Sequence, residues 1–363
     1  ASPAIAVALH GGRTVRVDAC ELRTVDGRHF DRRHLGHDVD DRTFDGASAS
    51  SRGDLSAGDN GGDMSDASPM RWPAHTDAAA DTMLSAANTC RNMIDPQQIE
   101  MGEQIGMGAY GIVHRGRWRG VDVAVKRFVQ QKQDESQRMD FRAEVAVLSE
   151  ARHPNVVLFI GACMRAPDVC IVTEWVRGGN LRDLLARPSA KVTWRAKLGI
   201  VRGIALGLDY LHSTVPEAIM HRDLKPSNVL VSPGDTEGTW TAKLADFGLS
   251  RTKREMATMT RCGTPAWTAP EIIKGQDYSE KADIYALGIV MWEVLTRRRP
   301  YADANFMSIS LDVLDGKRPE VPPGCPDAYA SLMTACWHRK PHKRPTAADV
   351  AAALLALDGT SPV

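Results

Sequence analysis

His221-Arg222-Asp223-Leu224-Lys225-Pro226-Ser227-Asn228, followed by Asp246-Phe247-Gly248, is the stretch on which the reading of this chain turns. Asp246 and Asn228 offer oxygen atoms of the hard type that Mg²⁺ prefers. Asp223 is a carboxylate able to accept the hydrogen bond of an acceptor hydroxyl, and Lys225, two residues on, can spread the charge of a transferring phosphoryl group. Phosphoryl transfer asks a protein for metal ions, positioning and a proton acceptor rather than for covalent chemistry. A string that supplies all three in eight residues plus three almost never arises by chance.

Upstream, Gly106-Met107-Gly108-Ala109-Tyr110-Gly111 matches G-x-G-x-x-G. Dinucleotide folds use the same letters, but there the glycines open a helix. Here Ile112 to Trp118 alternates and turns at Gly120 into Val121 to Lys126. The glycines therefore cap a hairpin whose backbone N–H groups can fold over phosphates, with Val113 placed to touch a nucleotide base. An ordinary glycine-rich turn is the bland alternative for this motif taken alone. Val123-Ala124-Val125-Lys126 sets a lysine beside apolar neighbours on a strand, where an ammonium is costly unless it meets anions. Phosphate oxygens supply one partner and Glu144, on the next helix, another; standing alone, Glu144 reads as a solvated helix face shared with Arg142.

The organisation around these motifs is that of two unlike parts. Ile99 to Ile105, Ile112 to Trp118 and Val121 to Phe128 read as antiparallel strands. Residues 136 to 151 place Met139, Val145, Leu148 and Ala151 at helical spacing. Val156 to Cys163 and Val169 to Glu174 complete a sheet of about five strands. Beyond Gly178-Gly179 the pattern is helical almost throughout: Leu181 to Ala186, Trp194 to His212, Glu280 to Thr296, Ser308 to Leu314, Tyr329 to Trp337 and Ala347 to Leu357. A β-rich lobe joined to an α-rich one by a glycine-bearing hinge has a cleft between them, the default place for a ligand. Residues 46 to 95 are expected to be a disordered linker, because 46 to 90 are built of small and polar residues that cannot offset ordering entropy. Residues 1 to 45 stay unassigned, with Thr14 to Val25 alternating weakly like strands from the end of an upstream domain.

Taken together the motifs resemble the eukaryotic protein kinase family: glycine loop, strand lysine, catalytic loop, D-F-G and, as Ala269-Pro270-Glu271, A-P-E. The resemblance covers residues 96 to 358 and implies an α+β, bilobal fold: a small lobe over 96 to 173, a hinge over 174 to 178 and a mainly helical large lobe over 179 to 358. It implies Mg-ATP as cosubstrate, with Mn²⁺ as a possible substitute, and protein substrates. Asn228 and Asp246 are the implied metal ligands, and Asp223, Lys225, Lys126 and Glu144 the catalytic set. Glu174 to Val176 would present backbone groups to adenine, with Thr173 controlling the pocket behind and Val113, Ala124 and Leu230 sandwiching the base; Met107, Ala109 and Tyr110 lie in the covering loop. Glu271 is expected to pair with Arg344, Asp283 to brace the catalytic loop, and Leu148, Phe159, His221 and Phe247 to stack in a column. Tyr285 stands where the family usually has Trp.

Lys225 and Thr264 are similar to serine/threonine kinases, whereas His153-Pro154-Asn155 and the run from Asp283 to Glu293 look like the tyrosine-kinase-like group, which includes mixed-lineage and Raf-like kinases. Cys262 to Glu271 is similar to kinase domains of large multidomain signalling proteins, some with a nucleotide cyclase. The function implied is therefore a serine/threonine protein kinase; a tyrosine or dual-specificity kinase and a non-catalytic pseudokinase scaffold are the alternatives. The latter would lack Lys126, Asp223 or Asp246, and all three are present. Thr258 and Thr260 lie in a hydroxyl-rich segment before Glu271, and Arg222 is placed to receive a phosphate added there by an upstream kinase or by the domain itself. Arg297-Arg298-Arg299 reads as a solvated turn before a docking patch.

Composition narrows the partners. The 45 acidic and 45 basic residues balance, so no general basic field suggests nucleic acid or an anionic membrane. Residues 1 to 95 hold 15 Asp plus Glu against 10 Arg and no Lys, which leaves the remainder at +5, the part expected to handle a polyanionic nucleotide. Seven cysteines make no C-x-x-C pair, so a reducing, cytoplasmic location is expected. The apolar runs are shorter than the ~18 residues of a membrane span. The beginning of the chain is expected to be no signal peptide, and without an initiator Met it leaves attachment through upstream sequence open.

Overall fold

The computed structural model describes residues 5–9, 13–18 and 21–24, then 92–357 apart from 109–110, 129–134, 166–167, 216–217, 235, 237, 248–250 and 253–264. Two compact units divide the chain, Ala1–Cys90 and Arg91–Val363. In the first, β1 (Ile5–Leu9), β2 (Arg13–Asp18) and β3 (Glu21–Thr24) form an antiparallel meander. The linker expected over 46 to 95 lies outside the described residues up to 91. Residues 92 to 95 are described and belong to the second unit. Met93 bridges to Ala162, and Ile94, 6% exposed, lies against Gly161, where a Cβ would run into its side chain.

In the second unit β4 (Ile99–Gly108), β5 (Gly111–Trp118), β6 (Val121–Arg127), β7 (Phe159–Cys163) and β8 (Cys170–Glu174) make one antiparallel sheet in the order β4-β5-β6-β8-β7. Period-two alternation sorts β6: Val123 and Val125 go into a small core with Ile99, Cys170 and Val172, while Ala124 and Lys126 take the other face. Helix α1 (Glu135–Glu150) packs Phe141, Val145 and Leu148 inward beside the sheet.

The large lobe is built on α2 (Leu181–Ala186), α3 (Trp194–His212), α4 (Pro270–Ile273), α5 (Lys281–Thr296), α6 (Phe306–Asp315), α7 (Asp327–Cys336) and α8 (Ala347–Leu357). Side-chain caps open several of them; Asn180, Thr193 and Asn305 each accept a backbone N–H three residues on. Helix α5 is buried on all sides from Ala282 to Val294, so it is the axis on which the others are hung. The large lobe is less uniformly helical than the sequence pattern suggests. The pairs β10 (Val229–Pro233) with β11 (Trp240–Leu244) and β9 (Ile219–Met220) with β12 (Arg251–Thr252) form beside the catalytic loop. Strands of two to five residues carry too little periodicity to stand out from loop.

The candidate active site

Lys126 is brought to the cleft by the hairpin pairing of β5 with β6, in which it lies opposite Val113. The glycine loop is the turn between β4 and β5, with Gly106 opposite Val113 and Gly108 opposite Gly111. Gly111 must be glycine, because a Cβ there would meet the carbonyl oxygen of Arg127. Ala109 and Tyr110 lie outside the described residues. Lys126 Nζ donates to both oxygens of Glu144, at 2.9 and 3.0 Å, and to Asp246 Oδ1 at 2.7 Å. Burial works against the ammonium, but the two carboxylates outweigh it and hold Lys126 above the ordinary lysine range. Burial would likewise raise Asp246, yet the charge and hydrogen bond of Lys126 reverse this and keep its carboxyl below the usual range.

Across the cleft, Asp223 accepts a 2.6 Å bond from Lys225 Nζ and a 2.9 Å bond from Asn228 Nδ2. The amide nitrogen of Asn228 is thus spent on Asp223, and its oxygen accepts from Ser227 Oγ at 3.2 Å. Asp283 holds this loop from below: its carboxylate accepts the backbone N–H groups of His221 (2.9 Å) and Arg222 (2.8 Å) and contacts His212 Nε2 at 2.9 Å. Arg222 and Asp246 both take left-handed backbone angles, φ 67° and 62°, which places strain at the two ends of the catalytic segment.

These groups share a cleft of about 530 Å³, within the range of small-molecule sites. Of the residues singled out from the sequence, Gly106, Met107, Gly111, Val113, Ala124, Lys126, Glu144, Thr173, Glu174, Val176, Asp223, Lys225, Asn228, Leu230 and Asp246 line it. Gly108, Ala109 and Tyr110 are not among its described walls. Trp175, within the span expected to face adenine, lines it too, and Asn180, Arg182, Asp183 and Ser227 do so without having been read as such. The side chain of Glu174 accepts Leu158 N–H at 2.8 Å and Lys243 Nζ at 2.7 Å, and so ties the hinge to β11. Its own N–H donates to Leu158 O, and its carbonyl accepts from Thr173 Oγ1 at 3.4 Å.

Below the cleft Arg344 meets Glu271 through two bonds, 2.6 and 2.8 Å, both residues buried. Leu148, Phe159, His221 and Phe247 are buried, and the rings of His221 and Phe247 lie 5.1 Å apart. Arg297 turns inward and donates to the carbonyls of Leu185, Arg187 and Ala190, so only Arg298 and Arg299 of that triplet are exposed. Thr258, Thr260 and Thr264 lie outside the described residues.

The profile of protein tyrosine and serine/threonine kinases matches residues 99–354, most of the chain. The chain belongs to that family. Its kinase domain is 54% identical over 275 residues to a mimivirus (Acanthamoeba polyphaga) protein named serine/threonine-protein kinase/receptor R831, covering 76% of this chain and 17% of that one. It is 41% identical over 254 residues to the Dictyostelium discoideum serine/threonine-protein kinase drkB, 70% of this chain and 36% of the relative. With the Arabidopsis thaliana kinase SIS8 the identity is 38% over 261 residues, 71% and 25% of the two chains. The chain thus spans about a sixth to a third of the length of these curated relatives. A kinase domain implies ATP and a divalent metal, and the donor set fits: an ionised Asp246 carboxylate and an amide oxygen of Asn228 face one cleft, with a cation beside them.

Proposed function

We propose that this kinase domain transfers the γ-phosphoryl group of Mg-ATP to serine or threonine hydroxyls of proteins, Mn²⁺ being a possible substitute metal. The convergence of Lys126, Glu144 and Asp246 on one wall of the cleft that also holds Asp223 carries this reading. Bound Mg-ATP supplies the phosphoryl group and the charge neutralisation that transfer requires. Lys126, oriented by Glu144, binds phosphate oxygens. Asn228 and Asp246 hold the metal. Thr173 and the backbone of Glu174 and Val176 receive the base, between Val113 and Ala124 above and Leu230 below. Asp223 accepts the hydrogen bond of the acceptor hydroxyl and so orients its oxygen, while Lys225 spreads the charge that builds on the transferring group.

Support for the serine/threonine class comes from Lys225 after the catalytic aspartate and from the names of the relatives. Membership in the tyrosine-kinase-like group is part of the same proposal, supported by the kinship with SIS8 and the drk kinases. Thr258 and Thr260 are proposed as activating phosphorylation sites, modified by the domain itself or by an upstream kinase; the buried Nε of Arg222 has no hydrogen-bond partner among the described residues. A reducing, cytoplasmic setting is proposed on the free thiols of Cys163, Cys170, Cys325 and Cys336. No described helix is long and apolar enough to cross a membrane. The test is transfer of labelled phosphate from ATP to a generic basic protein, followed by phosphoamino-acid analysis. Phosphoserine or phosphothreonine that disappears with Asp223→Asn is expected; phosphotyrosine alone, or label that survives the substitution, overturns the proposal.

A further inference from the structure

Trp267 ends a short 3₁₀ turn, Pro265–Trp267, that packs against both α5 and α6. Its indole Nε1 donates a 2.7 Å hydrogen bond to Glu293 Oε2. Glu293 lies near the end of α5, 6% exposed, with buried Met291 and Val294 close in sequence on the same helix. Burial pushes its carboxyl up to about 8, against the opposing effects of the Trp267 bond and the charge of Arg299. A buried carboxyl is costly unless it is hydrogen-bonded, and the Trp267 indole supplies such a bond.

What the bond fixes lies next to the chemistry. Trp267 and Thr268 line a small cavity together with Arg222, Asp223 and Asp283. Four residues after Trp267, Glu271 is pinned by Arg344. The stretch from Trp267 to Glu271 is therefore tethered to the large lobe at both ends, once through an indole and once through a carboxylate, and it runs past the base-bearing loop between them.

On top of the kinase reading, we propose that Glu293 is a positioning residue for the acceptor protein: through Trp267 it holds the 265–268 segment as a fixed platform beside Asp223. A side chain that only filled space in α5 would be replaced by leucine without penalty to substrate affinity. One that positions the platform needs an acceptor atom for the indole, which an amide supplies as well as a carboxyl does.

The full chain is assayed with ATP and a generic basic acceptor protein, and kcat, KM for acceptor, KM for ATP and Tm are recorded for the wild type, Glu293→Gln, Glu293→Leu, Trp267→Phe and the double variant Glu293→Leu/Trp267→Phe. Glu293→Leu and Trp267→Phe each raise the acceptor KM by about five-fold while the KM for ATP stays within about two-fold, and the double variant is no worse than either. Glu293→Gln keeps the acceptor KM of the wild type. An unchanged acceptor KM in Trp267→Phe, or in a folded Glu293→Leu, overturns the proposal, as does a Glu293→Gln enzyme as impaired as Glu293→Leu. Should Glu293→Leu fail to fold, Trp267→Phe and Glu293→Gln decide it. A wild type that transfers no phosphate brings down the kinase reading itself, a result distinct from transfer with unaltered acceptor kinetics.

Discussion

Lys126 Nζ stands 2.7 Å from Asp246 Oδ1, so a strand of the small lobe is joined by a direct ion pair to the segment that follows β11 in the large one. Both groups are driven toward their charged forms, the lysine upward and the aspartate downward. Removing either charge is expected to lower turnover by about a hundred-fold or more, because positioning and charge stabilisation are most of what such a site provides. Lys126→Met and Asp246→Asn are compared in single-turnover assays and in thermal shift with and without Mg-ATP. For Asp246→Asn the expected signature is loss of the Mg²⁺-dependent part of the nucleotide shift. A variant that keeps that shift and its turnover contradicts the assignment.

The Glu271–Arg344 pair is buried and doubly hydrogen-bonded, which makes it expensive to break from one side. Glu271→Ala leaves a guanidinium without its counter-charge, and a loss of about 3–5 kcal/mol is expected in urea unfolding. The measurement that checks it is the midpoint shift at constant slope. A loss below about 1 kcal/mol would mean that Arg344 is held adequately by the carbonyls of His338, Lys281 and Arg339.

Tyr285 is fully buried, and the guanidinium carbons of Arg344 and Arg318 stand 5.2 and 5.0 Å from the centre of its ring. The hydroxyl has no hydrogen-bond partner among the described residues. Because an unsatisfied buried hydroxyl stabilises nothing, Tyr285→Phe is expected to be neutral or more stable by up to about 1 kcal/mol, with kcat unchanged. A clear loss of stability in chemical denaturation would show that the hydroxyl has a partner after all.

The sequence carried the helices and the five-stranded sheet well, since their periodicities run over enough residues to be distinctive. Leu181–Ala186, Trp194–His212 and Ala347–Leu357 end where their caps and apolar spacing place them. The catalytic loop was legible because Asp223, Lys225 and Asn228 are close in sequence and chemically unlike a scaffold. What stayed hidden was contact at long range with no local mark. His212 against Asp283, Lys243 against Glu174 and Trp267 against Glu293 join residues 71, 69 and 26 positions apart, and nothing beside either member marks which residue it will meet. The short pairs β9–β12 and β10–β11 were hidden for a different reason: four or ten residues of strand are stabilised by the core beneath them rather than by their own propensity.

Arg222 connects the catalytic loop to the proposed phosphorylation of Thr258 and Thr260. Its guanidinium sits 5.8 Å from the ring of Tyr278, a contact that holds it in place without neutralising it. Phosphate on either threonine would add nearly two negative charges for that cation to receive. Thr258→Ala/Thr260→Ala is therefore expected to lower kcat about ten-fold after incubation with ATP, and Arg222→Ala to remove the difference between phosphorylated and phosphatase-treated protein. Equal turnover before and after phosphatase treatment of the wild type would end the proposal.

Glu293 makes stability depend on pH in a direction that can be worked out in advance. Burial pushes its carboxyl up to about 8 from an ordinary 4.5, so the folded state binds a proton that the unfolded chain has given up over that interval. Its contribution is whole below about pH 4.5 and is lost as pH rises through 8, at about 1.4 kcal/mol per pH unit at most. Glu293→Gln cannot ionise and keeps an acceptor for the Trp267 indole. The variant should therefore match the wild type in Tm near pH 4 and become progressively more stable relative to it from about pH 4.5 to about pH 8, above which the difference levels off. Because a cavity or a lost hydrogen bond would shift Tm by the same amount at every pH, a difference that stays constant across the titration would show that the carboxyl is not held protonated by its burial.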